Sequence, residues 1–155
     1  MTKVVGVIQA RLTSIRMKRK AVLPLAGRPV MHHLFDRALR IQGVDDLVLA
    51  IPTGEANDPL EAAVEGYPQI RVVRGPDDDL VVRFLKAADA TGADALLRMW
   101  GDCPATDPRL QPACASHTFH RRGSRHRDDK DATHQVATAF GEYTGGELRV
   151  HGQEG

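Results

Sequence analysis

Cysteine is almost missing from this sequence. Cys103 and Cys114 are the only two in 155 residues. They form no CxxC pair, so a disulfide framework and a cysteine-rich structural zinc site are both excluded, and free thiols are expected. Long apolar runs are missing too: nothing approaches the ~18 uninterrupted apolar residues of a membrane span. Met1 to Gln9 meets charge too early for a secretory signal. A cytoplasmic protein with no membrane partner is therefore expected. Neither sign of charge dominates, and a net charge of +1 gives no whole-chain field to attract nucleic acid. Neither GxxxxGK[ST] nor GxGxxG follows the first apolar run, which excludes a P-loop and a dinucleotide fingerprint.

What is present alternates between two periods. Val4, Val5, Val7 and Ile8 read as a strand buried on both faces, as do Leu47 to Ile51, Ile70 to Val73 and Ala95 to Met99. Between them lie helical patterns. Val30, Leu34, Ala38 and Ile41 recur at helical spacing after Pro29, and Gly43 stops them. Asp58-Pro59-Leu60-Glu61 has the form of a capping box ahead of Leu60, Ala63, Val64 and Tyr67. Asp77 to Asp79 open a helix that buries Leu80, Val81, Phe84, Leu85 and Ala88. Strands alternating with helices predict right-handed βαβ units and a parallel sheet with helices on both faces. On such sheets ligands bind at the carboxyl ends of the strands. The loops at 10–20, 52–54, 74–79 and 100–107 are thus expected on one rim.

After Pro112 the character changes. In residues 113–155 the only large aliphatic side chains are Val136, Leu148 and Val150, too few to complete a sheet. Residues 1–112 are expected as the folded nucleotide-binding part and 113–155 as a disordered tail. His117, His120, His126 and His134 have no regular ligand spacing and no cysteine partners, so a solvated tract is favoured over a metal site. The run Arg121 to Arg127 is followed directly by Asp128, Asp129 and Asp131, and beside it only Phe119 offers a Phe, Tyr or Trp ring to stack on a base, which argues against nucleic acid as partner.

The chemistry-bearing residues sit in the predicted rim loops. Arg11, Arg16 and Lys20 follow the first strand, where clustered cations can neutralise and position a triphosphate; a solvated basic loop is the plain alternative. Asp102 follows the fourth strand, where a carboxylate can hold Mg2+ bridging phosphate oxygens. Alone, an Asp between Gly and Cys-Pro is more often a turn residue.

Four segments in order carry a resemblance. Gln9 to Lys20, QARLTSIRMKRK, is similar to QARxxSxRLPGK and is followed by LPLAGRP. Ala50 to Thr53, AIPT, matches a second segment. Arg74 to Phe84, RGPDDDLVVRF, is like RGSEDDVLxRF, and Arg98 to Pro108, RMWGDCPATDP, is close to RxTGDCPLxDP. Together they resemble the cytidylyltransferases that activate acidic sugars, acylneuraminate and 3-deoxy-manno-octulosonate cytidylyltransferases among them, and above all the spore-coat polysaccharide biosynthesis branch. The likeness runs from about Lys3 to Leu110.

The resemblance implies a Rossmann-like nucleotide-diphospho-sugar transferase fold. It implies transfer of CMP from CTP to a sugar with release of pyrophosphate, in polysaccharide or surface-glycan biosynthesis. Gln9, Ala10, Arg11, Ser14, Arg16, Lys20 and Pro52 would bind the nucleotide, Arg11 and Lys20 would act on the reacting phosphates, and Asp102 would hold Mg2+. Asp78 and Asp79 read first as capping and loop-ordering residues. Three departures stand out: Lys18-Arg19 in place of Pro-Gly in the basic loop, Trp100 in place of a small residue beside Asp102, and Pro112 where a helix should continue. In relatives the following half supplies the acceptor-sugar pocket, another acidic metal ligand and much of a homodimer contact. The chain is accordingly expected to be a truncated fold. The rival reading is a nucleotide-binding module or gene fragment without transferase activity.

Overall fold

The computed structural model describes residues 3–13, 17, 19–109 and the strand at 118–120. Four parallel strands form its centre: β1 (Val4–Gln9), β4 (Asp46–Pro52), β5 (Ile70–Gly75) and β6 (Ala95–Trp100). Together with β7 (Thr118–His120) they line up in the order β5-β4-β1-β6-β7. The chain builds outward from β1 to β5 and then returns to place β6 on the other side of β1. That reversal is the topological switch point of a doubly wound sheet, and it puts the ends of β1 and β6 side by side.

The two-residue period of the strands sorts the core. Val5, Val7, Val48 and Ala50 face one side and pack on Phe84, Ala87 and Ala88, which belong to α3 (Leu80–Thr91). Ile8, Leu47, Leu49 and Ile51 face the other side and pack on Met31, Leu34 and Phe35 of α1 (Val30–Ala38). Helices therefore cover both faces, as the sequence implies. A Cβ on Gly6 would lie 2.6 Å from the tip of Leu47 and 2.7 Å from the tip of Met99, so both side chains would have to shift to admit it.

Three local features differ from the expectations. Pro29 does not begin α1 but ends β3 (Arg28–Pro29), which pairs with β2 (Pro24–Leu25). The hairpin turn uses Ala26 and Gly27, both with positive φ (48° and 79°), as a two-residue turn between twisted strands requires. The expected capping box is not one. Asp58 and Glu61 both lie inside α2 (Asp58–Ala62), and their carboxylates hold Arg74 instead, with Nη2 at 2.7 Å from Asp58 and Nε at 2.9 Å from Glu61. Both carboxylates turn to charge-assisted hydrogen bonds with the planar Arg74 guanidinium. Finally, β7 adds an antiparallel strand on β6, pairing Phe119 with Leu96, inside the segment expected as tail. It covers the edge that β6 would otherwise leave open. The rest of 110–155 lies outside the described residues.

The hairpin is fastened to the body by a polar cluster. Arg28 pairs with Asp36 at 2.9 Å and donates to the Tyr67 hydroxyl at 2.9 Å, and that hydroxyl donates to Asp36 at 3.0 Å. The hydrogen bond from Arg28 holds the Asp36 carboxyl below the usual carboxylate range. A carboxyl whose value falls on folding supports the fold above the unfolded value, ~3.9. That support is lost as pH drops through the lower folded value. Asp36→Asn should therefore flatten the fall in melting temperature between about pH 5 and pH 3. A melting series in which variant and parent fall in parallel would remove Asp36 from the acid response.

Candidate active site

The end of β1 passes directly into the basic loop. Ala10 N–H donates to the Ala50 carbonyl at 3.3 Å, and Leu12 N–H donates to Asn57 Oδ1 at 3.1 Å. Asn57 is 2% exposed and stands at the start of α2, so the loop is anchored by a buried amide. Arg19 then adopts a left-handed backbone (φ 58°, ψ 20°), in the place where the family pattern has glycine. At Arg19 the backbone keeps the left-handed shape glycine would supply, without glycine's freedom from Cβ strain. Lys20 follows and opens a single helical turn, Lys20–Val22.

Across the switch point, Gly101 donates to the Gln9 carbonyl at 2.8 Å. A Cβ on Gly101 would lie 2.7 Å from that same oxygen and from the Ala10 Cβ, so only glycine lets the two strand ends touch. This contact sets the next residue, Asp102, within reach of the basic loop, and its carboxylate forms an ion pair with Lys20. The two groups are 39% and 41% exposed, open to an incoming ligand. Burial, with the Asp102 charge second, pushes the thiol of neighbouring Cys103 up.

A cleft of about 600 Å³ opens here, lined by Gln9, Ala10, Arg11, Met17 and Lys20 from the β1 side, Asp77, Asp78 and Arg83 from the β5–α3 side, and Trp100, Gly101 and Asp102 from β6. Five of the sequence-derived site residues, Gln9, Ala10, Arg11, Lys20 and Asp102, thus share one cavity. Pro52 does not line it; it is a buried end residue of β4 in register with Gly75. Ser14 and Arg16 lie outside the described residues. Asp79 caps α3 by accepting from Val82 N–H at 2.9 Å, as expected, whereas Asp78 faces the cleft. Arg83 was not legible as a site residue, though a charge at the helical spacing of Leu80, Phe84 and Ala87 was a signal. Trp100 lies in the cleft with the Arg98 guanidinium 4.9 Å from its ring centre.

Among the described residues no three His, Cys, Asp or Glu side chains converge as a metal cage. The donor set nonetheless fits magnesium, which is commonly held by one or two carboxylates plus substrate phosphates. Asp102 can supply that one carboxylate.

Strand order, cleft position and the Lys20–Asp102 pair define a doubly wound α/β domain with a polar site at its switch point. The family model described as cytidylyltransferase matches residues 5–144, and the chain belongs to that family. It is similar to the spore coat polysaccharide biosynthesis protein SpsF of Bacillus subtilis, 32% identical over 116 residues that make up 71% of this chain and 47% of that protein. Among solved structures it resembles a cytidylyltransferase from Leptospira borgpetersenii, with a TM-score of 0.67 and 28% identity over 71% of this chain and 46% of that one. It also resembles CMP:2-keto-3-deoxy-manno-octonic acid synthetase complexed with CTP, at TM-score 0.59 and 27% identity, covering 70% and 44%. The chain spans less than half the length of these relatives. No helix among the described residues is long and apolar enough to cross a membrane.

Proposed function

We propose that this chain carries the CTP-binding half of a cytoplasmic cytidylyltransferase site that transfers CMP to a sugar for glycan synthesis. The meeting of Lys20 and Asp102 across the switch point carries this reading. A cation suited to phosphate oxygens stands beside a carboxylate suited to a divalent metal, and the similar proteins include one of polysaccharide biosynthesis, which supports the reading. In the transfer, a sugar oxygen forms a bond to the α-phosphorus of CTP as the bond to the β-phosphate oxygen breaks, and pyrophosphate leaves. Arg11 and Lys20 hold the phosphate charge as it shifts toward the leaving group. Bound Mg2+ would supply further neutralisation of that charge. The acceptor is an acidic or other sugar precursor, and the partner half of the site and any homodimer contact belong to the length that the relatives have in addition.

The test is calorimetric titration of the purified chain with CTP, with and without Mg2+, and with ATP for comparison, followed by a pyrophosphate-release assay with a panel of acidic sugars. Saturable, Mg2+-enhanced binding that prefers CTP is expected. Trp100, the only tryptophan and 41% exposed on the cleft, should report the same binding as a fluorescence change. Folded protein that binds no CTP would sink the reading. Binding without pyrophosphate release would favour a nucleotide-binding module.

A further inference from the structure

The basic loop carries Arg11, Arg16, Lys18, Arg19 and Lys20 in one short stretch. Like charges so close repel one another and spread the loop unless its base is held. The hold is at Leu12, whose side chain is buried in the same core as Ala21 and Met31. Its N–H donates to Asn57 Oδ1 at 3.1 Å, and its carbonyl accepts from Arg19 N–H at 3.4 Å. One residue thus closes the loop at both ends: Arg11 directly precedes it, and Lys20 directly follows the residue bonded to it.

Asn57 can hold Leu12 because it is itself held. It ends the single turn Glu55–Asn57, and its own N–H donates to the Gly54 carbonyl at 3.1 Å. Arg74 grips the chain on either side, with Nη1 at 3.3 Å from the Gly54 carbonyl and Nη2 at 2.7 Å from Asp58. Since Arg74 belongs to β5, the amide ties the loop after β1 to a strand on the far side of β4. At 2% exposure that amide also carries a desolvation cost. A leucine would fill much the same space without it, so packing alone does not account for an asparagine here.

We propose that Asn57 is a positioning residue for phosphate binding: through Leu12 it fixes where Arg11 and Lys20 present their charges to a triphosphate. The assignment rests on the nucleotide reading above and adds to it a residue that does not line the cleft. Without the amide the cations must be gathered again each time a ligand arrives, and affinity falls by the cost of ordering them.

The experiment titrates CTP with Mg2+ into the parent chain, Asn57→Leu, Asn57→Asp, Lys20→Met and the double variant Asn57→Leu with Lys20→Met, and records the melting temperature of each unliganded protein. Asn57→Leu should lose about tenfold in CTP affinity, the worth of one hydrogen bond left unmade. In the Lys20→Met background the same substitution should cost much less, because a charge it positions is gone. Asn57→Asp keeps an oxygen to accept from Leu12 N–H. It should bind CTP better than Asn57→Leu even though its melting temperature is the lower of the two, because a carboxylate is buried. A residue that serves the fold alone would not give that reversal of order between stability and affinity. A lowered melting temperature with CTP affinity intact in Asn57→Leu overturns the proposal, as does an equal loss with and without Lys20. Asn57→Ala takes the place of the leucine variant if that does not fold, and equal CTP affinity in the alanine and aspartate variants overturns the proposal too. A parent that binds no CTP removes the nucleotide reading itself, and that failure is visible before any variant is made.

Discussion

Asp102→Asn should bind CTP in the absence of metal at least as well as the parent, and should gain nothing when Mg2+ is added. In the unliganded chain Lys20 and Asp102 neutralise one another. A triphosphate must take Lys20 from its partner, and a metal must take Asp102. Removing the carboxylate charge frees the lysine. An exposed ion pair is worth up to ~1 kcal/mol, so metal-free affinity should rise by no more than about fivefold. The metal enhancement, which needs the carboxylate oxygen, should vanish. Lys20→Met gives the opposite pattern. CTP affinity should fall about 10- to 100-fold, the worth of a hydrogen bond between charged groups, while the freed Asp102 should take up Mg2+ alone more readily. Calorimetry in the four combinations of nucleotide and metal measures all of this. Mg2+ enhancement surviving in Asp102→Asn would remove this residue from the metal site.

Phe35→Ala is the second large effect. Phe35 is fully buried on α1, with the Tyr67 ring centre 5.0 Å away at an edge-on angle and His32 stacked at 6.1 Å. Truncating a buried phenylalanine costs about 3–5 kcal/mol, a large share of the ~5–15 kcal/mol by which a domain is stable. Urea denaturation should show the midpoint collapse, with much of the chain unfolded before denaturant is added. Met17→Ala, at a side chain 52% exposed, should move stability by no more than about 0.5 kcal/mol. Equal effects in the two variants would mean that the packing of α1 on the sheet is not what holds the fold.

The parts of this protein that were legible in its sequence are those written in a local period. Val5 and Val7 alternate with Gly6 and Ile8 whatever the rest of the chain does, and a strand buried on both faces follows. The motif around Asp102 was legible through its likeness to a family. What stayed hidden depends on pairs that meet only in space. Asp58 and Glu61 have the spacing of a cap, and nothing local announces that Arg74 will claim both. Asn57 looks like a loop residue until Leu12 N–H is found bonded to it. The pairing of Phe119 with Leu96 was hidden because three residues are too few to show a period, and a short edge strand is decided by the neighbour it covers.

The order of the strands also has a meaning in time. The basic loop leaves the ribosome early, but its counterpart at Asp102 comes only after β4 and β5 have been laid down on the far side of β1. Until β6 docks, β1 has a bare edge and the Gly101–Gln9 contact does not exist. The basic side of the cleft and the Asp102 side therefore meet only where β6 is paired with β1, through contacts between distant parts of the chain.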